Sequence, residues 1–189
     1  MDDNKKKIAF IINPISGTQG KEHILKWLDE KLDKNRYMPE VIYTEWAGHA
    51  VEIAARKAKE EVFAVVAIGG DGTINEIARS LVHTKTALGI IPCGSGNGLA
   101  RHLQIPMEAK KAIDIINEGL IDIIDYGKIN DVPFFCTCGV GFDAFVSLQF
   151  SKAGRRGPLI YLEKTLLESL KYKPETYELE MDGSTSRYK

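Results

Sequence analysis

No stretch of apolar residues in this 189-residue chain is long enough to span a bilayer. The N-terminus, MDDNKKKIAFIIN, follows charge with a short apolar run but has no small-residue cleavage site, and Asn13-Pro14 stops it. It reads as a first strand and not as a signal peptide. An excess of charge is also missing: 25 Lys and Arg stand against 26 Asp and Glu. That excludes nucleic-acid binding driven by bulk positive charge. The cysteines number three, without zinc spacing, which points to reduced thiols in a cytoplasm. Cys136 and Cys138, two apart on an expected strand, should face the same side. The four histidines, His23, His49, His83 and His102, are scattered without metal-ligand spacing.

What is present is organised around Val65 to Leu81, VVAIGGDGTINEIARSL. Phe63 to Ile68 is a short β-branched run that reads as a buried strand. Gly69, Gly70, Asp71, Gly72 and Thr73 break it, and Ile74, Ile77, Ala78 and Leu81 then recur at helical spacing. A strand, a glycine turn and a helix aim backbone N–H groups and the positive end of the helix at one point, where an anion can sit. Asp71 lies in that turn. It can take a proton from an attacking hydroxyl, hold magnesium through water, or cap the helix.

Two more turns of this kind follow apolar strands. Lys7 to Ile12 runs into Asn13-Pro14-Ile15-Ser16-Gly17, and Leu88 to Ile91 into Pro92-Cys93-Gly94-Ser95-Gly96-Asn97-Gly98. Val41 to Thr44 reads as strand two. Helices are expected over the residues after Gly20, over Gly48 to Lys59, and from Pro106. This alternation is the pattern of βαβ units around a parallel sheet, whose C-terminal strand edge is where ligands bind. The three turns are therefore expected to converge on one site.

After Asp125 the character changes. Tyr126 to Ile129 and Pro133 to Gly139 read as strands joined by Asn130-Asp131. Helices are expected over Asp143 to Lys152 and Leu159 to Lys171, and a hairpin turns at Asp182-Gly183. Residues 1–125 are expected to form one α/β domain and 126–189 the start of a β-rich one whose remainder is absent.

Together the turns resemble the diacylglycerol kinase catalytic-domain family, which includes bacterial lipid kinases, sphingosine kinases and ceramide kinases. NPISG at Asn13 to Gly17, GGDGTINE at Gly69 to Glu76 and PCGSGNGLA at Pro92 to Ala100 carry the resemblance, with GFDA at Gly141 to Ala144 a weaker match. The resemblance implies an α/β, three-layer Rossmann-like nucleotide-binding domain, related to NAD kinases and phosphofructokinases, followed by a β-sandwich. It implies ATP and Mg2+ as cofactors and transfer of the γ-phosphate to a lipid hydroxyl, of diacylglycerol type or of a sphingoid base.

Residue by residue, it implies that Asn13, Pro14, Ile15, Ser16 and Gly17 contact the ATP phosphates or ribose. Thr44 would border the nucleotide. Gly69, Gly70, Asp71, Gly72, Thr73 and Ile74 would cradle the phosphates, and Gly94, Ser95, Gly96 and Asn97 would line the same pocket. Asp71 would be the acid nearest the transferring group. Asp143 would meet a substrate amine; as a plain helix-start residue it would cap the helix at Ala144 instead. The metal ligands stay unassigned. The expected partner is a lipid at a membrane surface, reached by transient contact from the cytoplasm, with a homodimer as a further expected partner and no nucleic acid. The competing readings are a kinase of a soluble substrate, like NAD kinase, and a nucleotide-binding fragment without turnover. Arg155 and Arg156 read as solvated loop residues or as contacts to phosphate or anionic lipid.

Overall fold

A computed structural model describes residues 5–16, 21–152 and 172–189, and the side chains of these except 149–152. Gly17, the Arg155-Arg156 loop and the helix expected over Leu159 to Lys171 lie outside the described residues.

The chain forms two compact units, Met1–Thr137 and Cys138–Lys189. The first is built on a parallel sheet of order β2-β1-β3-β4, from β1 (Lys6–Ile12), β2 (Tyr37–Tyr43), β3 (Ala64–Gly69) and β4 (Ala87–Pro92). Its central strands are continuously apolar and buried over Ile8 to Ile12 and Ala64 to Ile68 because both sheet faces are covered. On one face Ile8, Phe10, Ile12, Val66 and Ile68 pack against Ile24 and Leu28 of α1 (Glu22–Lys31) and Ala112 and Ile113 of α5 (Ala109–Glu118). On the other, Ala9, Ile11, Val65 and Ala67 pack against Ile53 and Ala54 of α2 (His49–Lys59), Ile74 and Ile77 of α3 (Asp71–Leu81), and Leu99 of α4 (Gly98–His102). Successive strand residues alternate between the two faces, as a pleated strand requires. The result is the three-layer α/β arrangement.

The larger differences from the sequence reading each have a physical reason. Strand β2 starts at Tyr37, four residues before Val41, because it is the sheet edge. Most of its residues there are exposed, so no apolar pattern marks it, and Pro39 is tolerated opposite Ile8. The helix expected from Pro106 starts at Ala109, because Glu108 is extended and its carbonyl accepts from Lys111 and Ala112. Helix α4 has only five residues, too few to show a period. Strand β6 (Val132–Phe134) pairs with β5 (Gly127–Ile129) and ends before Cys136, which adopts a φ of 85°. Cys136 and Cys138 therefore do not share a strand face.

The second unit contains α6 (Phe142–Lys152) and the antiparallel pair β7 (Tyr177–Met181) and β8 (Ser184–Tyr188). Asp182 and Gly183 both have positive φ, the geometry of a tight primed hairpin turn. The division between units falls at Thr137/Cys138, beyond the change of character at Asp125.

Candidate functional site

The C-terminal ends of β1, β3 and β4 deliver the three turns to one edge, and hydrogen bonds tie them together. Asn13 N–H donates to the Ile68 carbonyl (3.3 Å), and Cys93 N–H donates to the Gly69 carbonyl (2.8 Å). Asn13 Nδ2 donates to Thr73 Oγ1 (3.1 Å), joining turn one to turn two. Thr44, buried at the end of β2, donates its N–H to the Ile12 carbonyl beside turn one.

Turn one is closed locally. Asn13 Oδ1 accepts from Ile15 N–H (3.1 Å), and the Asn13 carbonyl accepts from Ser16 N–H (3.3 Å) and Ser16 Oγ (3.0 Å). Beneath it lies a residue that sequence reasoning missed. The Lys21 side chain folds back so that Nζ donates to the Asn13 carbonyl, to the Ser16 carbonyl (2.6 Å) and to Ser16 Oγ (2.6 Å). Periodicity gives no sign that a lysine at the head of a helix turns inward.

Turn two opens α3. Gly70 is the N-cap, in extended conformation and without a side-chain cap. The N–H groups of the first helical turn lack intrahelical partners and carry the positive end of the helix dipole. Asp71 does not cap its own helix. Its Oδ2 accepts from Asn97 N–H (2.8 Å) and its Oδ1 from Gly98 N–H (2.6 Å), at the start of α4. The carboxylate thus pins turn three to turn two.

Turn three is folded by its own asparagine. Asn97 has left-handed backbone (φ 54°) and is buried. Its Oδ1 accepts from Gly94 N–H and its Nδ2 donates to the Gly94 carbonyl, each at 2.8 Å. Arg101, a second residue not foreseen, donates from Nε to the Gly96 carbonyl (2.8 Å). Two glycines here are dictated by approach. A Cβ on Gly94 would lie 2.6 Å from Gly70 Cα, and one on Gly96 would lie 2.7 Å from Asp71 Oδ2.

The residues singled out from sequence thus divide. Pro14, Ile15, Asp71, Gly72, Ser95 and Gly96 are exposed and can meet a ligand. Ser16, Thr73, Ile74 and Asn97 are buried and brace the turns. Cys93 is half-buried; burial pushes its thiol above the usual range, against a smaller opposing pull from the Lys21 charge. Asp143 is exposed in the first turn of α6, in the second unit. That unit also carries an open, mostly apolar groove of about 320 Å³ lined by Val140, Ala144, Phe145, Tyr172 and Tyr177 among others. Among the described residues, no group of three or more His, Cys, Asp or Glu side chains is placed to hold a metal ion, and no helix is long and apolar enough to cross a membrane.

This geometry sits in a chain with many recognisable relatives. The profile of the diacylglycerol kinase catalytic domain matches residues 7–129, which include all three turns. A diacylglycerol kinase of Bacillus subtilis is 33% identical over 94% of this chain and 60% of its own length. One from Staphylococcus aureus is 32% identical over 95% of this chain and 58% of its own. The chain therefore spans about 60% of the length of these curated relatives. Among solved structures, a diacylglycerol kinase from Bacillus anthracis superposes with a TM-score of 0.59 over 68% of this chain and 49% of its own, at 25% identity. Another Bacillus anthracis chain superposes with a TM-score of 0.71 over 96% of this chain and 62% of its own; at 23% identity it speaks for the fold alone. With the profile covering well over half of its residues, this chain belongs to the diacylglycerol kinase catalytic-domain family.

Proposed function

We propose that the three turns of the first unit bind the phosphates of ATP and that the protein transfers the γ-phosphate to the hydroxyl of a membrane lipid of diacylglycerol type. The observation that carries this reading is the uncapped N-terminus of α3 in the Gly69–Thr73 turn, with the Asp71 carboxylate fixed beside it by two backbone N–H groups. Such a terminus favours an oligophosphate through its N–H groups and dipole.

Phosphoryl transfer asks mainly for positioning and charge neutralisation. The glycine turns supply the first through backbone that lies close to the ligand. The acceptor hydroxyl attacks the γ-phosphorus, its oxygen forms the new P–O bond, and the bond to the β-phosphate oxygen breaks to release ADP. The hydroxyl proton needs an acceptor. An ionised carboxylate has about four lone-pair sites, and Asp71 uses two on Asn97 and Gly98, so it retains capacity for that proton. Magnesium fits this site only in a particular way. Asp71 is the one carboxylate hydrogen-bonded into the described turns, which suits an ion held mostly by phosphate oxygens and water and by one protein carboxylate. Bound so, the ion would neutralise phosphate charge.

Because the acceptor is a lipid, catalysis takes place in transient contact with a membrane surface. The test is transfer of labelled γ-phosphate from Mg-ATP to diacylglycerol and to sphingosine in mixed micelles, with NAD as a soluble acceptor. Labelled phosphatidic acid supports the reading. A labelled sphingoid base would move the substrate to an amine-bearing lipid and turn attention to Asp143. Label on NAD alone, or ATP binding with no transfer, overturns it.

A further inference from the structure

Lys21 has no role in the reading above. Its ammonium is buried, with the residue 9% exposed. Taking an ammonium out of water is strongly unfavourable unless oxygen partners replace the solvent. Here three oxygens of turn one do so: the carbonyls of Asn13 and Ser16, and Ser16 Oγ. These residues are also the two ends of the turn. The Asn13 carbonyl already accepts from Ser16 N–H and Oγ, so the ammonium draws into one point the carbonyls that a four-residue turn brings near each other. The same charge pulls against the burial that raises the Cys93 thiol, at the base of turn three.

Carbonyl oxygens gathered at the sheet edge repel an anion. An ammonium that holds those carbonyls offsets their negative ends and places a cation within the turn. Buried charge of this kind is screened little by salt.

We propose that Lys21 is a positioning residue: its buried ammonium fixes Asn13–Ser16 in the form that accepts phosphate, and it thereby sets the affinity of the site for the nucleotide's phosphates. The affinity part rests on the nucleotide reading above. The ordering part does not, and the two are measured separately.

The experiment uses the full chain with Lys21→Met, which keeps the length of the stem and removes the charge. Lys26→Met is the control, an exposed lysine of α1 paired with Glu30. Amide hydrogen exchange at Ile15 and Ser16 reports turn order without any ligand. Lys21→Met is expected to speed it at least tenfold, and Lys26→Met to leave it within twofold. Calorimetric titration with Mg-ATP is expected to show at least tenfold weaker binding by Lys21→Met, again unchanged in the control. In Lys21→Ala, propylammonium is expected to restore part of both properties, and propanol at the same concentration to restore neither. A role in packing alone would not separate the cation from the alcohol. Unchanged exchange in Lys21→Met overturns the proposal, and so does unchanged affinity in a protein whose wild type binds Mg-ATP. A wild type that binds no Mg-ATP overturns the nucleotide reading and with it the affinity part, while faster exchange in Lys21→Met would still sustain the ordering part.

Discussion

The two units of this chain put their residues to different use. In the first, Val65 to Ile68 are wholly buried between two helical layers, and the loops at the strand ends are locked to one another. In the second, every residue of β8 is exposed, and Val146 is the one apolar side chain buried among the described residues. A two-stranded hairpin has no core of its own. The contrast teaches where precise chemistry can be held. The three glycine-bearing turns, Asn13–Ser16, Gly69–Thr73 and Pro92–Gly98, lie at the edge of the sheet that is packed on both faces.

The largest effect that would sharpen this contrast is in the core. Phe10→Ala is expected to cost about 3–5 kcal/mol in denaturant unfolding followed by Trp27 fluorescence, because Phe10 is fully buried in the cluster against which Trp27 packs. Met181→Ala, at a site 68% exposed in the second unit, is expected to change stability by no more than about 0.5 kcal/mol. Comparable losses would break the comparison.

Gly94→Ala comes next. The new methyl would meet the backbone of Gly70 at 2.6 Å and Asn97 Oδ1 at 2.8 Å; the backbone contact cannot be relieved by a side-chain rotation, so the two turns must part, at a cost of about 1–3 kcal/mol. Mg-ATP affinity measured by calorimetry is expected to fall with it. Gly183→Ala, strained only by its own φ of 74° in the hairpin, is expected to cost about 1 kcal/mol and to leave nucleotide affinity unchanged.

The third pair is two carboxylates. Asp71→Asn turns an NH2 toward one of the two N–H donors it now accepts, so an unfavourable contact of about 1–3 kcal/mol joins the loss of a proton acceptor. Phosphate transfer should be abolished and Mg-ATP binding weakened, whereas Asp143→Asn should leave diacylglycerol phosphorylation within about twofold, a change well under 1 kcal/mol. Near-normal turnover by Asp71→Asn would remove Asp71 from the chemistry.

This pair also marks what could be read from the chain. The sheet was legible because strands with both faces covered are continuously apolar, and the helices because their apolar residues recur at 3.6. The convergence of three turns followed from their shared place at strand ends. The partners of Asp71 were not legible: they lie 26 and 27 residues away and are backbone groups, which any sequence supplies. For Asn97, read as lining a pocket, the sequence did not show that the side chain also closes its own turn on Gly94. Lys21 was not singled out at all, because nothing in the pattern of residues marks a lysine at a helix start as buried. Only the fold places a charge inside or outside.

The smallest expected effect concerns the edge of the first unit. Lys57 on α2 pairs with Glu40 of β2 (2.7 Å) and with Glu60 (2.8 Å). Burial alone would lower the Lys57 pKa, but hydrogen bonds and charge from the two glutamates hold it above its usual 10.5. The hydrogen bond from Lys57 holds Glu60 below its usual 4.5. The Lys57 contribution to stability is therefore full below about pH 10.5 and lost as pH rises through the raised value. The Glu60 contribution is present above about pH 4.5 and lost as pH falls through the lowered one. Thermal unfolding across pH should show the difference between wild type and Lys57→Met shrinking at both extremes.

The central claim is that the joined turns of the first unit form a nucleotide-phosphate site. Backbone amide NMR of the 21.0 kDa chain during titration with Mg-ATP tests it most directly. Saturable shifts are expected at Gly70 to Thr73, at Ile15 and Ser16, and at Ser95 to Gly98, with β7 and β8 unmoved. Shifts confined to the second unit, or none at millimolar Mg-ATP, would contradict it.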